Sequence, residues 1–261
     1  MNYGKILVAI GILTWWEGLR RFGLVSSLLL ASPSEILQAA LQANVELLSA
    51  VHVTLLEILA AVSITWVCGI VIGLPVGISP FARRYVAPLL SSIFSIPKIM
   101  FYPLMLVWLG IGPQSKIGFA VLTSFFTVAL TTIDAVGTID HRYAVAARSF
   151  GATRLQLLYG IYLPLALPGI ISGLRIGTAL VVIGVVVSEM LASFQGLGFW
   201  ISTHRSNFDT PEVYLGILLA LLLSMGINAL LGRLERRFSN WRDDERTRHR
   251  INEKLIKGTT L

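Results

Sequence analysis

Cysteine occurs once in this chain, at Cys68 within an apolar run, so no intrachain disulfide can form and the thiol reads as packing. Charge is scarce too. Only 13% of the 261 residues are Asp, Glu, Lys or Arg, against about 25% in soluble domains. The four histidines, His52, His141, His204 and His249, are dispersed and show no metal-ligand spacing. No glycine loop followed by Lys-Ser or Lys-Thr is present, so the chain is expected to bind no ATP. No catalytic, cofactor-binding or metal-ligating residue is assigned, and the chain is not expected to be an enzyme.

Apolar sequence, in contrast, is abundant. Hydrophobic residues make up 55% of the chain, and the mean hydropathy is +0.75. This is membrane-protein composition. At about 20 residues per crossing, roughly six or seven helices fit with modest loops. The formal net charge of +7 does not point to nucleic acid. Lys and Arg cluster between apolar segments and in the tail, which is how membrane topology is encoded.

Six spans are predicted, at about 3–20, 51–79, 86–112, 117–137, 165–193 and 213–231, in a single transmembrane domain over 1–261. The first opens with Lys5 and an apolar run to Trp16. No small-residue cleavage site follows, and Trp15-Trp16 reads as an interfacial belt. This span ends in Glu17, Arg20 and Arg21, and the apolar run Phe22 to Ala31 is an alternative occupant of the same depth. Pro33 to Ala50 reads as an amphipathic helix at the outer surface, capped by Ser34. Residues 233–261 form a polar tail with intermixed charges such as Arg242, Asp243, Asp244, Glu245 and Arg246, predicted to be a solvated helix reaching a partner or anionic headgroups.

Charge orients the chain. With the N-terminus cytoplasmic, Lys5, Arg83, Arg84, Arg142, Arg148, Arg154 and nine tail residues face inward. Arg20, Arg21, Lys116 and Arg205 face outward, so the balance is fifteen to four. Both termini then lie inside, which requires an even number of spans.

One polar stretch between spans is not loop-like: Val145 to Gly169, VAARSFGATRLQLLYGIYLPLALPG. Ala144 through Phe150 favours helix, Gly151 breaks it, and Thr153 can cap a second helix from Leu155 to Ile161. Pro164 and Pro168 are read as a turn back into the membrane. Two short helices joined at a glycine make a rigid protrusion.

This stretch resembles the cytoplasmic EAA loop of bacterial ABC importer permeases: Glu-Ala-Ala, three residues, Gly, about a dozen residues, Leu-Pro. Ala146, Ala147, Gly151 and Leu163-Pro164 match, while Val145 stands in the glutamate position. Further motifs are similar to the nitrate/sulfonate/taurine subgroup. They are Ala31-Ser32-Pro33-Ser34, Ser95-Ile96-Pro97-Lys98, Trp108 to Gly112, Ser115-Lys116-Ile117, Gly173-Leu174-Arg175 and Gly196-Leu197-Gly198. The resemblance covers roughly residues 30 to 240. It implies an all-α, polytopic protein of the type I importer architecture in the bacterial inner (plasma) membrane. It implies a cytoplasmic ATP-binding subunit in two copies, which would hold ATP and Mg, and a second permease copy, identical or similar. A periplasmic or lipid-anchored substrate-binding protein would dock outside. The loop 139–163 would couple to the ATPase through Val145, Ala146, Ala147, Arg148, Gly151, Ala152, Thr153 and Pro164. A small anion of the sulfonate/taurine, nitrate or bicarbonate class is the expected substrate, with a vitamin or pyrimidine precursor as the alternative. An ion-coupled secondary transporter would have more spans, an inverted repeat and no docking loop.

Ionisable groups inside spans are expensive, and usually face a cavity or a partner. Lys98, between Pro97 and Pro103, lies in a predicted helix break that suits an anionic substrate. A partner carboxylate or backbone carbonyl is the competing reading. Arg175 is read as a pathway residue or as an ion pair with Asp134 or Glu189. Glu189 is placed at the outer rim, as a gate or a satisfied residue, and Glu57 in water at the outer end of its span. Gly69, Gly73 and Gly77, spaced by four, predict close helix packing.

Overall fold

The computed structural model describes residues 3–42 and 45–233; the predicted polar tail, from 234 on, lies outside them. Among the described residues the regular elements are helical. They are α1 (Tyr3–Arg21), α2 (Pro33–Leu41), α3 (Val45–Ile78), α4 (Pro80–Phe94), a 3₁₀ turn (Lys98–Phe101), α5 (Tyr102–Leu109), α6 (Pro113–Gly137), α7 (His141–Ser149), α8 (Arg154–Leu157), a π turn (Leu158–Tyr162), α9 (Leu163–Leu191) and α10 (Leu197–Ser206). A last helix, α11, runs over Thr210–Arg233.

Among the described residues four helices are long and apolar enough to cross a membrane: α3, α6, the continuous α8–α9 rod over Arg154–Leu191, and α11. The predicted third span is interrupted. Ser95, Ile96 and Pro97 separate α4 from the 3₁₀ turn and α5, because Pro97 donates no amide hydrogen and disfavours helix in the residue before it. Counted as one broken span, this pair is a fifth crossing. The predicted first span does form a helix of 19 residues. With Lys5, Glu17, Arg20 and Arg21 in it, however, α1 is not among the helices apolar enough to cross. The run Phe22 to Ala31 contains no helix.

Two further expectations are corrected. The amphipathic 33–50 helix is two elements, α2 and the first turns of α3, and the cap of α2 is Ser32 rather than Ser34. Ser32 Oγ accepts from the Glu35 amide while the Glu35 side chain accepts from the Ser32 amide, a complete capping box. Ser34 Oγ instead donates to Glu17 at 2.7 Å. Pro164 and Pro168 make no turn. The chain runs as helix from Arg154 to Leu191, and the π turn at Leu158–Tyr162 supplies the altered pairing that a proline just beyond it requires.

The chain packs as two compact units. One comprises the described residues through Val62 with Lys98–Thr123 and Leu180–Met225. Its core joins Ala31, Ile36, Leu47, Leu197, Trp200 and Leu215, drawn from the termini of several helices. Trp16 Nε1 donates to the Ala31 carbonyl at 3.0 Å, and Arg20 pairs with Glu35 at 3.3 Å, fastening α1 to α2. Tyr102 is buried, stacks near Phe119 at 5.1 Å and donates from its hydroxyl to the Ser188 carbonyl at 2.9 Å.

The other unit comprises Ser63–Pro97, Ser124–Ala179 and the described residues from Gly226. Here α6 lies between two glycine ladders. A Cβ at Gly69, Gly73 or Gly77 of α3 would stand 2.8, 2.7 and 2.7 Å from the Cβ atoms of Val128, Thr132 and Val136. On α9, Gly169, Gly173 and Gly177 face Ala135, Thr131 and Val128 equally closely. The spacing-by-four reading is borne out for α3, and a second ladder appears on α9. Close approach matters here because lipid supplies no hydrophobic drive, so helices associate through packing and interhelical hydrogen bonds. The bonds are present: Trp66 Nε1 donates to Thr178 Oγ1 at 3.1 Å, and the Thr65 and Ser124 hydroxyls meet at 2.9 Å.

Candidate functional site

The polar stretch forms a two-helix element with capped ends. Asp140 caps α7 by accepting from the Arg142 amide at 2.9 Å. At the other end Gly151 adopts φ +81°, its amide donates to Arg148 O at 2.9 Å, and the Ala152 amide donates to Ala147 O at 3.0 Å. These two bonds with a left-handed residue are a Schellman closure, which glycine makes without strain. Two residues on, Thr153 caps α8 as predicted. Its hydroxyl accepts from the Gln156 amide, and the Gln156 side chain accepts from the Thr153 amide at 2.8 Å.

This geometry sorts the side chains. Ala144 (1% exposed) and Leu157 (3%) are buried and anchor the element. Val145, Ala146, Arg148, Gly151 and Thr153 are exposed, Ala147, Ala152 and Pro164 half-buried, and Phe150 stands 93% exposed. The element thus presents Val145, Ala146 and Gly151 at its surface, with Phe150 projecting furthest and Tyr143 and Leu155 also exposed. The caps of this element are made by Asp140, Gly151 and Thr153. Because α8 continues through the π turn into α9, the element is joined covalently and helically to a membrane-spanning rod of 38 residues.

The predicted pathway residues occupy different settings. Lys98 opens the 3₁₀ turn and is half-buried, so the helix break expected there exists. Arg175 is exposed on α9. An ion pair of Arg175 with Glu189 is excluded, since fourteen residues along one helix are about 21 Å at 1.5 Å each. Glu189 is 1% exposed and fully engaged: Thr54 Oγ1 donates to its Oε1 at 2.7 Å and the Gly198 amide donates to its Oε2 at 2.7 Å.

Two predicted placements are corrected around it. Glu57, read as solvated, is 4% exposed, and Lys116, read as an outward loop cation, is 3% exposed. They form an ion pair, and Lys116 Nζ also donates to Ser193 Oγ at 3.3 Å. Desolvation forces this, because a lone buried charge is far more costly than a paired one. Thr54 completes the centre by accepting from the Leu197 amide at 2.7 Å. Glu189 and Thr54 therefore satisfy amides at the N-terminus of α10, where Gly196 (φ +105°) offers no cap of its own. The sequence carried one signal of this. Glu57 and Lys116, of opposite charge, were both assigned to outer span ends, hence to one depth.

Comparison with known proteins follows the same lines. Residues 66–240 match the family described as "Binding-protein-dependent transport system inner membrane component". The chain is 32% identical over 245 residues to the taurine transport system permease protein TauC of Escherichia coli (strain K12), covering 88% of this chain and 89% of that one. It is 34% identical over 188 residues to the formylaminopyrimidine transport permease protein ThiX of Halalkalibacterium halodurans, covering 70% and 75%. Among solved structures, an inward-facing form of the MetNI methionine ABC transporter aligns with TM-score 0.60 and 25% identity, over 70% of this chain and 93% of that one. The chain thus belongs to the family of binding-protein-dependent transport system inner membrane components, and is an all-α, multi-pass ABC importer permease.

Proposed function

We propose that this permease moves a small anion of the sulfonate/taurine, nitrate or bicarbonate class by alternating access, driven through α7, Gly151 and α8 by a separate ATPase. The observation that carries the coupling is the closure at Gly151. It locks this exposed surface to a helix that continues into the membrane. In the proposed complex two ATPase subunits hold ATP and Mg, two permease copies face each other, and a substrate-binding protein docks outside. Both termini are cytoplasmic, in keeping with the fifteen-to-four charge balance. ATPase closure moves α7, and the α8–α9 rod carries the displacement past Pro164 into the translocation path. Lys98, at a helix break, supports an anionic substrate, as does the likeness to a taurine permease. Arg175 and Glu189 are assigned to the path and its outer end.

A second reading has its own support. The likeness to ThiX, and to the riboflavin permease protein RibX of Chloroflexus aurantiacus at 35% identity over 159 residues, favours a vitamin or pyrimidine precursor. Uptake into proteoliposomes separates the two: concentration of taurine or nitrate supports the anion reading, and concentration of riboflavin or formylaminopyrimidine alone overturns it. Coupling is tested by ATP hydrolysis of the reconstituted complex with Gly151→Asp. Loss of binding-protein stimulation in an assembled complex is expected. Wild-type stimulation would show that this element is not the coupler.

A further inference from the structure

A groove of about 520 Å³ lies where α3 ends and α8 begins, within one compact unit. Its floor is apolar, with Leu74 and Ile78 from the last turns of α3, and Leu157 and Leu158 from the segment leading into α9. Arg148 and Arg154 also line it, and neither forms an ion pair with a described residue. Arg148, itself exposed, lies four residues beyond the buried Ala144 and on the side of α7 away from exposed Ala146. The wall is irregular backbone: Pro75 lies inside α3, and Leu158 and Tyr162 bound the π turn. A widened turn there opens the space beside α3.

Apolar residues at the end of a membrane span, with two cations at the rim, match an amphiphile that has acyl chains and an anionic head. We propose that this groove binds an anionic phospholipid of the cytoplasmic leaflet, its phosphate held by Arg148 and Arg154 and its chains against Leu74, Ile78 and Leu158. The leaflet, though not the lipid chemistry, rests on the orientation proposed above. A soluble acidic partner would leave the apolar floor unmatched, and a neutral lipid would leave the arginines unmatched. Basic pockets at the cytoplasmic ends of spans recognise such headgroups. Bound there, the lipid braces the two-helix element against the end of α3.

The test uses the whole complex in nanodiscs of phosphatidylcholine with phosphatidylglycerol, with retained lipid counted by native mass spectrometry. Wild type should retain phosphatidylglycerol. Arg148→Gln with Arg154→Gln should weaken that selective retention roughly 30-fold, taking about 1 kcal/mol per arginine. Equal retention by variant and wild type overturns the proposal. Should the variant not assemble, a photoreactive phosphatidylglycerol on wild type decides. Crosslinks to 74–80 and 154–162 support the groove; crosslinks confined elsewhere, or groove peptides crosslinked only to the ATPase, overturn it. None of these readouts depends on substrate-stimulated hydrolysis, so failure here and failure of the coupling reading are separate results.

Discussion

Lys116 of α6 forms an ion pair with Glu57 of α3, and both side chains are at most 5% exposed. The pair joins two membrane-spanning helices within one compact unit, and Ser193, two residues beyond the end of α9, bonds the same ammonium. Removing one partner leaves the other charged and dry. Lys116→Met is therefore expected to destabilise the permease by about 3–5 kcal/mol, while the double variant Glu57→Gln with Lys116→Met recovers much of the loss. Thermal unfolding of the purified complex measures both. A double variant as unstable as the single one would show that the pair is not what the single change breaks.

Gly196 precedes α10 with φ +105°, and a Cβ there would overlap the Glu189 carboxylate. Gly196→Ala therefore combines backbone strain of about 1–3 kcal/mol with displacement of the carboxylate that holds the Gly198 amide. Faster amide hydrogen exchange over Leu197–Ser206 is expected. Unchanged protection there would mean that α10 does not depend on Glu189.

Gly73 admits no side chain, since a Cβ would lie 2.7 Å from Thr132 Cβ and 2.8 Å from the Ala129 carbonyl. Gly73→Val should destabilise the helix pair by about 1–3 kcal/mol. Thr132→Ala in the same chain should restore only part of this, because it removes Cγ2 and Oγ1 while the Cβ of residue 132 and the Ala129 carbonyl remain in place. Yield and melting temperature of the detergent-solubilised protein report the difference, and full rescue would assign the clash to the Thr132 atoms beyond Cβ.

Thr153→Ala removes the capping box of α8 and should weaken that helix by about 1 kcal/mol. Gly151→Val imposes about 1–2 kcal/mol of left-handed strain, with open space around the new side chain, so its effect is conformational rather than steric. Both should lower substrate moved per ATP hydrolysed, the glycine variant more. Equal transport stoichiometry in all three proteins would separate the shape of this element from coupling.

Much of the two-helix element around Gly151 is legible in residue order. Gly151 and Thr153 act on their immediate neighbours, and local backbone hydrogen bonds need only local chain. The same holds for the helix break before Lys98, where Pro97 acts on the residue beside it. Pro164 and Pro168 were misread because a proline's effect depends on the pairing around it. The π turn ahead of them lets the helix continue. Of the two ion-pair partners read for Arg175, Glu189 was excluded by an arithmetic the helix itself supplies, its rise per residue.

By itself the sequence determined the class of this protein. Apolar runs of span length, the basic residues clustered between them and the Ala146-Ala147-Gly151 spacing all lie within short windows of chain. Tertiary structure alone decided which charges are buried and against what. Glu57 finds Lys116, Thr54 finds Glu189, and Gly169, Gly173 and Gly177 find α6 across long separations in the chain. Desolvation and close packing depend on what lies across the interface, which is a property of the fold.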